Sequence, residues 1–380
     1  MADLSYDLVI VGMGSGGMVA AEFASTLDIK VAAVERDRVG GDCLWTGCVP
    51  SKALLASAKV ANAMRHADRY GLTAVEPEID TARVFERIRS IQADLAATDD
   101  TRTASRRRGC TCRQRILPRD EPALVDRLTR AIRESGVELS LGVEIESVSV
   151  EGAEKVVRGT TAGGPAEWRA EQILVAAGRR PNVEGLGLEQ VGVETGERGV
   201  VVNGAMRTSV KSIYAAGDMA GRYLFTHSAG YEAAAAIRNM FFPGSSEATD
   251  FVPWCTYTDP ELAHAGLTEA QAREEHGEDD VHVWRHDLSH SDRARAESNA
   301  EGEIRIVTAK GRMVGAHVLS AGAGEVIHEL ALAIHEKTKL SDLGSLVHVY
   351  PTLSMGIGQL AGEASYERAG RLGFLVRSKA

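Results

Sequence analysis

An α/β fold of two or three domains is predicted for this 380-residue chain by three observations. A β-branched run, Tyr6 to Val11, passes through a glycine turn into a helix-like stretch. A second apolar run, KVAAVE, ends in a carboxylate at Glu35. Farther along, EIRIVT and GRMVGAHVL flank a Lys-Gly turn as a hairpin, and AGEVIHELALAIHEKTKL repeats its apolar residues at helical spacing.

The first unit reads as strand, glycine turn, helix. In Gly12-Met13-Gly14-Ser15-Gly16-Gly17, Gly12 permits the tight turn and Gly14 opens the backbone to a pyrophosphate. Gly17 lets strand and helix approach, and the free amides of the helix start suit an anion. Glu35 follows Gly17 by 18 residues, where a carboxylate accepts hydrogen bonds from ribose hydroxyls. A glycine turn alone also joins strands to helices that bind nothing, but the three features together point to a dinucleotide.

Composition narrows the remaining classes. The net charge of −10 and pI near 5.6 give no attraction for phosphate backbones or anionic lipid. No apolar run approaches the ~18 residues of a spanning helix. The first residues enter a strand without a secretory pattern, so a cytoplasmic location is expected. Five cysteines are too few for a disulfide scaffold, so a close pair signals chemistry.

That pair lies in Gly40-Gly41-Asp42-Cys43-Leu44-Trp45-Thr46-Gly47-Cys48-Val49-Pro50-Ser51-Lys52. Residues five apart on an ideal helix have Cα atoms about 8.7 Å apart, beyond the roughly 7 Å limit for bridging. Gly47 and Pro50 predict an irregular helix start instead, with Cys48 where the dipole and free amides stabilise a thiolate. Two unrelated buried cysteines are the plainer alternative.

The GGDCLWTGCVPSK segment resembles the redox motif of the pyridine nucleotide-disulfide oxidoreductases, which include dihydrolipoamide dehydrogenase, glutathione reductase and mercuric reductase. The resemblance implies a two-segment Rossmann-like FAD-binding domain over 1–100 and 170–250, and an α+β dimerisation domain over 251–380. Gly12, Gly14, Ser15, Gly16, Gly17 and Glu35 would hold FAD, with Gly41, Asp42 and Lys52 beside it. Cys43 and Cys48 would form the redox disulfide, Cys43 exchanging with substrate and Cys48 contacting the flavin. Lys52 would stabilise reduced flavin. Ser212-Ile213-Tyr214-Ala215-Ala216-Gly217-Asp218 matches the second FAD motif, a strand whose Gly217 and Asp218 meet the ribityl chain. Thr226 and His227 open the helix beneath the flavin, and ILVAAGRRPN returns the chain to this domain. The implied reaction passes electrons from NAD(P)H through FAD to the cysteine pair, in a homodimer acting on a small-molecule or metal-ion substrate.

Two departures stand out. The earlier half of the family's nicotinamide-binding domain, with its glycine turn, has no counterpart; residues 116–169 read as its remnant and 101–115 as a junction. RDEPALVDRLTRAIRESGVEL resembles that domain's later helix, with Leu124, Leu128 and Ile132 on one face and Gly136 as its cap. With its packing partners gone, this face is expected to lie exposed. The junction's TRTASRRRGCTCRQR cannot bury enough apolar surface to order itself, and Cys110 with Cys112 lacks matching zinc ligands. An inactive FAD-binding or dimerising remnant that cannot bind nicotinamide is therefore the alternative to an enzyme.

The second departure is in His348-Val349-Tyr350-Pro351-Thr352-Leu353-Ser354-Met355. Tyr350 takes the family's catalytic histidine position and Met355 that of its glutamate, with His348 two residues away. A tyrosine, with an ordinary pKa of ~10, donates protons but is a poor base at neutral pH. This pattern is nearer the mercuric reductases, although neither their terminal cysteine pair, after LGFLVRSKA, nor their N-terminal metal-binding domain is expected here. Cys255 is expected to be a core thiol, and His286, His290 and Asp292 to lie in a solvated loop rather than a metal site.

Overall fold

The computed structural model describes residues 5–36, 38–96, 115–176 and 178–371. The junction around Cys110 and Cys112 and the last nine residues lie outside the described residues. Strand β1 (Leu8–Val11) leads into helix α1 (Ser15–Ser25) and back to β2 (Val31–Val34). Then come α2 (Gly41–Trp45), α3 (Cys48–Arg65), α4 (Thr81–Ala96) and α5 (Pro122–Glu134). Strands β3 (Glu144–Glu151), β4 (Glu154–Thr161) and β5 (Gly164–Ala170) form an antiparallel meander. The short pair β6 (Thr195–Gly196) and β7 (Gly199–Val200) precedes α6 (Thr226–Phe241). The rest is β8 (Trp254–Thr256), β9 (Glu261–Gly266), α7 (Glu269–His276), β10 (Val281–Asp287) and α8 (Asp292–Ala296). A hairpin of β11 (Glu303–Ala309) and β12 (Arg312–Ser320) is followed by α9 (Ala323–His335), α10 (Leu340–Leu343) and α11 (Met355–Arg371).

These elements form two compact units, Met1–Arg106 with Ala176–Asp250, and Arg107–Val175 with Phe251–Ala380. Residues read from the sequence as a separate remnant thus cluster with the C-terminal domain.

In the first unit β1 and β2 pair in parallel, and α1 and α6 enclose a core of Leu8, Ile10, Ala24 and Ile237. Gly12 has φ +90°, a conformation glycine adopts without strain, and a Cβ on Gly17 would collide with the Gly12 carbonyl oxygen. The strand expected over 212–216 does not form. Its backbone bonds go to a local turn instead, with Ala215 N donating to Met206 O at 3.1 Å and Thr208 N to Ile213 O at 3.0 Å. Val9, Val11 and Val34, which a wider parallel sheet would cover, remain exposed.

The second unit is built on a five-stranded antiparallel sheet in the order β10-β11-β12-β9-β8. Alternation sends Ala263, Ala265, Ile304, Ile306, Ala316 and Val318 to one face, where α9 and α11 complete a continuous core. Lys310 and Gly311, at φ +52° and +78°, close the β11–β12 hairpin with the left-handed pair that two-residue turns favour. The opposite face receives α5. Leu124, Val125 and Leu128 are fully buried against Leu262 and Leu319, with Ile132 alongside. The face expected to lie exposed is therefore covered: α5 packs on the five-stranded sheet.

Across the same face runs a ladder of cross-strand neighbours, Arg305 to His317 to His264 to Trp254. The α5 segment covers both of its ends. Asp120 Oδ1 accepts Trp254 Nε1–H at 2.9 Å, and Glu121 Oε1 accepts Arg305 Nη1–H at 3.0 Å. Arg127 reaches Asp287, Glu301 and Glu303. In the middle, the Nδ1 atoms of His264 and His317 stand 3.2 Å apart, and the His264 ring stacks 3.8 Å from Trp254. Burial pushes both imidazoles down, His264 to about 4.

Candidate functional site

The site in the first unit grows from the glycine turn. Helix α1 starts after Gly14 with no side-chain cap and no acidic residue in its first turn, so its leading amides suit an anion. Nothing lies within 4 Å of a Cβ built on Gly14, which leaves room for a pyrophosphate. Glu35 Oε2 accepts the Met13 amide at 2.6 Å, holding the carboxylate against the turn. These residues fit the diphosphate and ribose of a dinucleotide.

The cysteine segment docks onto this turn through Gly41. Its φ is +56°, and an added Cβ would stand 2.9 Å from Gly14 Cα. As the spacing predicts, the helix breaks between Trp45 and Cys48. Gly47 caps α3 where a Cβ would approach Asp42 O at 2.8 Å, and Pro50 occupies the first turn, where no intrahelical amide is needed. Buried Gln92 on α4 donates to the carbonyls of both Leu44 and Trp45 at 3.0 Å, fixing the end of α2.

Cys43 and Cys48 are half-buried thiols that hydrogen-bond each other. Thr226 Oγ1 lies 3.4 Å from Cys48 Sγ. The hydrogen bond from Cys43, then that of Thr226, the charge of Lys52 and a backbone amide bring Cys48 down to about 5 against its partial burial. Cys43 moves the opposite way, raised first by that shared hydrogen bond and then by burial, while Thr226 and Ser15 oppose the rise. One sulfur is thus set as thiolate and the other as its proton donor. A largely apolar cavity of about 730 Å³ opens beside Cys43, lined also by Ser15, Leu44, Val49, Thr226 and His227.

The segment expected to form the second FAD motif reaches the site as a turn. Gly217 N donates to Glu232 Oε2 at 2.7 Å, and Asp218 Oδ2 accepts Arg179 Nη1–H at 2.6 Å. Arg179 also stands 3.5 Å from Asp42, joining both segments. His227 stacks on Phe225, with ring centres 5.2 Å apart. Sequence reasoning gave Arg179, Glu232 and Gln92 no role. Arg179 lay inside the quoted ILVAAGRRPN segment, whereas Glu232 in an alanine-rich helix and Gln92 in an amphipathic one carried no signal.

Tyr350 and His348 belong to the second unit and face different partners. Tyr350 is exposed and donates to Asp292 Oδ2 at 3.1 Å, a bond that together with the Asp292 charge raises the phenol. The His348 side chain is buried, with Nε2 2.9 Å from Glu329 Oε1 and Nδ1 3.2 Å from Leu346 O. It fits because Gly358 lacks a Cβ, which would stand 2.6 Å from Nδ1. Met355 begins α11.

His286 is not in a loop but on β10, buried, with Nε2 unpaired. It lines a second cavity of about 580 Å³ with His290 and Glu363. Cys255 is on β8 against the main core. Among the described residues, no cluster of His, Cys, Asp and Glu could hold a metal, and no helix is long and apolar enough to cross a membrane.

The family model for pyridine nucleotide-disulphide oxidoreductases matches residues 6–109 and 109–234, and that for their dimerisation domain matches 252–361. A dihydrolipoyl dehydrogenase of Thermus scotoductus is 30% identical over 459 aligned positions, covering 96% of this chain and 98% of that protein. A mercuric reductase of Streptomyces lividans is 27% identical, covering 93% and 95%. The crystal structure of LpdA from Mycobacterium tuberculosis superposes with a TM-score of 0.83 at 21% identity, over 94% of this chain and 99% of that one, a likeness of fold. With the glycine turn, the paired thiols and a dimerisation sheet in one chain, the protein belongs to the pyridine nucleotide-disulphide oxidoreductase family, FAD-dependent flavoprotein disulfide reductases that use NAD(P)H.

Proposed function

We propose that this chain is a cytoplasmic, homodimeric oxidoreductase whose Cys43 and Cys48 cycle between dithiol and disulfide while reducing a small-molecule or metal-ion substrate. The observation that carries this is the pairing of the two thiols where the chain breaks into α3, with Thr226 Oγ1 3.4 Å from Cys48 Sγ and Cys43 lining an apolar cavity. When bound, FAD would supply the two electrons that open the disulfide, and one proton completes the Cys43 thiol while Cys48 is left as thiolate. Gly12, Gly14, Ser15, Gly16 and Gly17 would hold its diphosphate, Glu35 its ribose, and Gly217 and Asp218 its ribityl chain. Gly41, Asp42, Lys52, Thr226 and His227 complete the assignment. Cys48 keeps its negative charge beside Thr226 and Lys52, leaving Cys43 to exchange with substrate. Because Cys43 is held protonated, it needs a proton acceptor. Tyr350 and His348 are assigned to proton transfer, the His348 imidazole as the acceptor and exposed Tyr350, which keeps its proton, as a donor.

A second reading has its own support. The alignment with the Thermus protein runs over 459 positions against 380 residues here, and among the described residues β1 and β2 are the only parallel pair. A chain lacking half of the nicotinamide-binding domain, with 116–169 as the remnant, would bind FAD but not be reduced by NAD(P)H.

Anaerobic titration of the purified protein separates the two. Bleaching of bound yellow flavin by NADH or NADPH supports the complete enzyme, and response to dithionite alone supports the remnant. A protein that binds no FAD at all would sink both.

A further inference from the structure

Glu232 on α6 is a carboxylate sealed from water, only 3% exposed. Burying an ionisable group is costly unless its oxygens are satisfied. Here Oε2 accepts the Gly217 amide at 2.7 Å, while Oε1 accepts no hydrogen bond and has Arg222 4.0 Å away. Arg222 directs its own N–H groups to Asp250 Oδ1 and the Ala248 carbonyl.

Gly217 explains why the carboxylate is there. Its φ of +73° belongs to glycine, and a Cβ would stand 3.1 Å from Ala229 Cβ, so no side chain can anchor this peptide. Its orientation therefore depends on the hydrogen bond its amide makes. The next residue is Asp218, already aimed by Arg179.

We infer that Glu232 is a positioning residue for the flavin turn: by accepting the Gly217 amide it fixes the peptide plane that aims Asp218, and the turn grips FAD only while this bond holds. The inference rests on the assignment of Gly217 and Asp218 to the flavin's ribityl chain. Burial, the largest influence on Glu232, and the Asp218 charge both raise its carboxyl, against the pull of Gly217 N–H and Arg222. A neutral carboxyl still offers a carbonyl oxygen to the amide, so the clamp survives protonation.

The test compares wild type, Glu232→Gln and Glu232→Ala as full-length apoproteins, reading the FAD dissociation constant, the bound-flavin absorption spectrum and the apoprotein melting curve. Leaving the buried Gly217 amide unpaired should weaken FAD binding about 10- to 100-fold in Glu232→Ala. That loss should come with an altered flavin spectrum, while Glu232→Gln, whose amide oxygen can replace the acceptor, stays close to wild type. Wild-type affinity and spectrum in Glu232→Ala would overturn the inference, as would a Glu232→Gln variant impaired as severely as Glu232→Ala. If Glu232→Ala does not fold, Glu232→Asp decides: its shortened reach should weaken FAD binding, and unchanged affinity overturns the proposal. Failure of wild type itself to bind FAD would strike the flavin-turn assignment beneath it, a result distinct from any variant difference.

Discussion

Cys48 is drawn toward thiolate by Cys43, Thr226, Lys52 and a backbone amide, so its charge should survive well into acid. In the FAD-loaded, two-electron-reduced protein, a long-wavelength charge-transfer band from this thiolate should persist above about pH 5 and fade below it. Replacing Cys43 with Ala removes the largest of these influences and, read with oxidised FAD because no disulfide is left to reduce, should move the midpoint upward; Cys48→Ser should have no band. A band that survives in Cys48→Ser would reverse the roles of the two sulfurs. Tyr350 obeys the opposite logic. Its bond to Asp292 raises the phenol, so it holds its proton through the neutral range and serves as a donor before it can serve as a base.

At the scale of elements, α5 departs from the exposed face that its sequence led one to expect. Leu128 is fully buried between helix and sheet, and Leu128→Ala should cost about 2 to 5 kcal/mol of stability, measured by chemical denaturation. A loss under about 0.5 kcal/mol, the range of a surface change, would mean that the helix is not seated. The glycine turn, the break before Cys48, the Lys310-Gly311 hairpin and α9 were legible because local chemistry decides them. Gly17 has to be glycine for reasons within six residues of itself. The seat of α5 was not legible, because Arg305 meets Glu121 across 184 positions and no local pattern encodes that meeting. The missing strand at 212–216 has the same origin: a β-rich run becomes a strand only when a neighbour offers its ladder, and this one spends its bonds on residues 206–208. Glu232 stayed hidden because a carboxylate among alanines looks solvated until burial is known.

For the whole molecule, the ladder beneath α5 links stability to pH. His264 and His317 are neutral in the folded chain, while an unfolded histidine takes up a proton near pH 6.5. The unfolded state therefore binds more protons below that value. The pair's contribution is complete above pH 6.5 and lost toward pH 4, at up to about 1.4 kcal/mol per pH unit for each ring. Asp120, raised by burial to about 6, works in the other direction between pH 6 and 4, one group against two. Arg305, beside His317, adds to the cost of charging the rings, and Glu121 and Glu303 are already engaged with that guanidinium. The melting temperature should fall from pH 7 to 5, and a flat or rising profile would contradict this account. Because Trp254 lies flat on His264, the indole sits where it senses the state of the ring below. An imidazolium quenches a neighbouring excited indole far more than a neutral ring does. The sheet thus carries its own optical gauge, dimming as the ring beneath the indole takes up a proton.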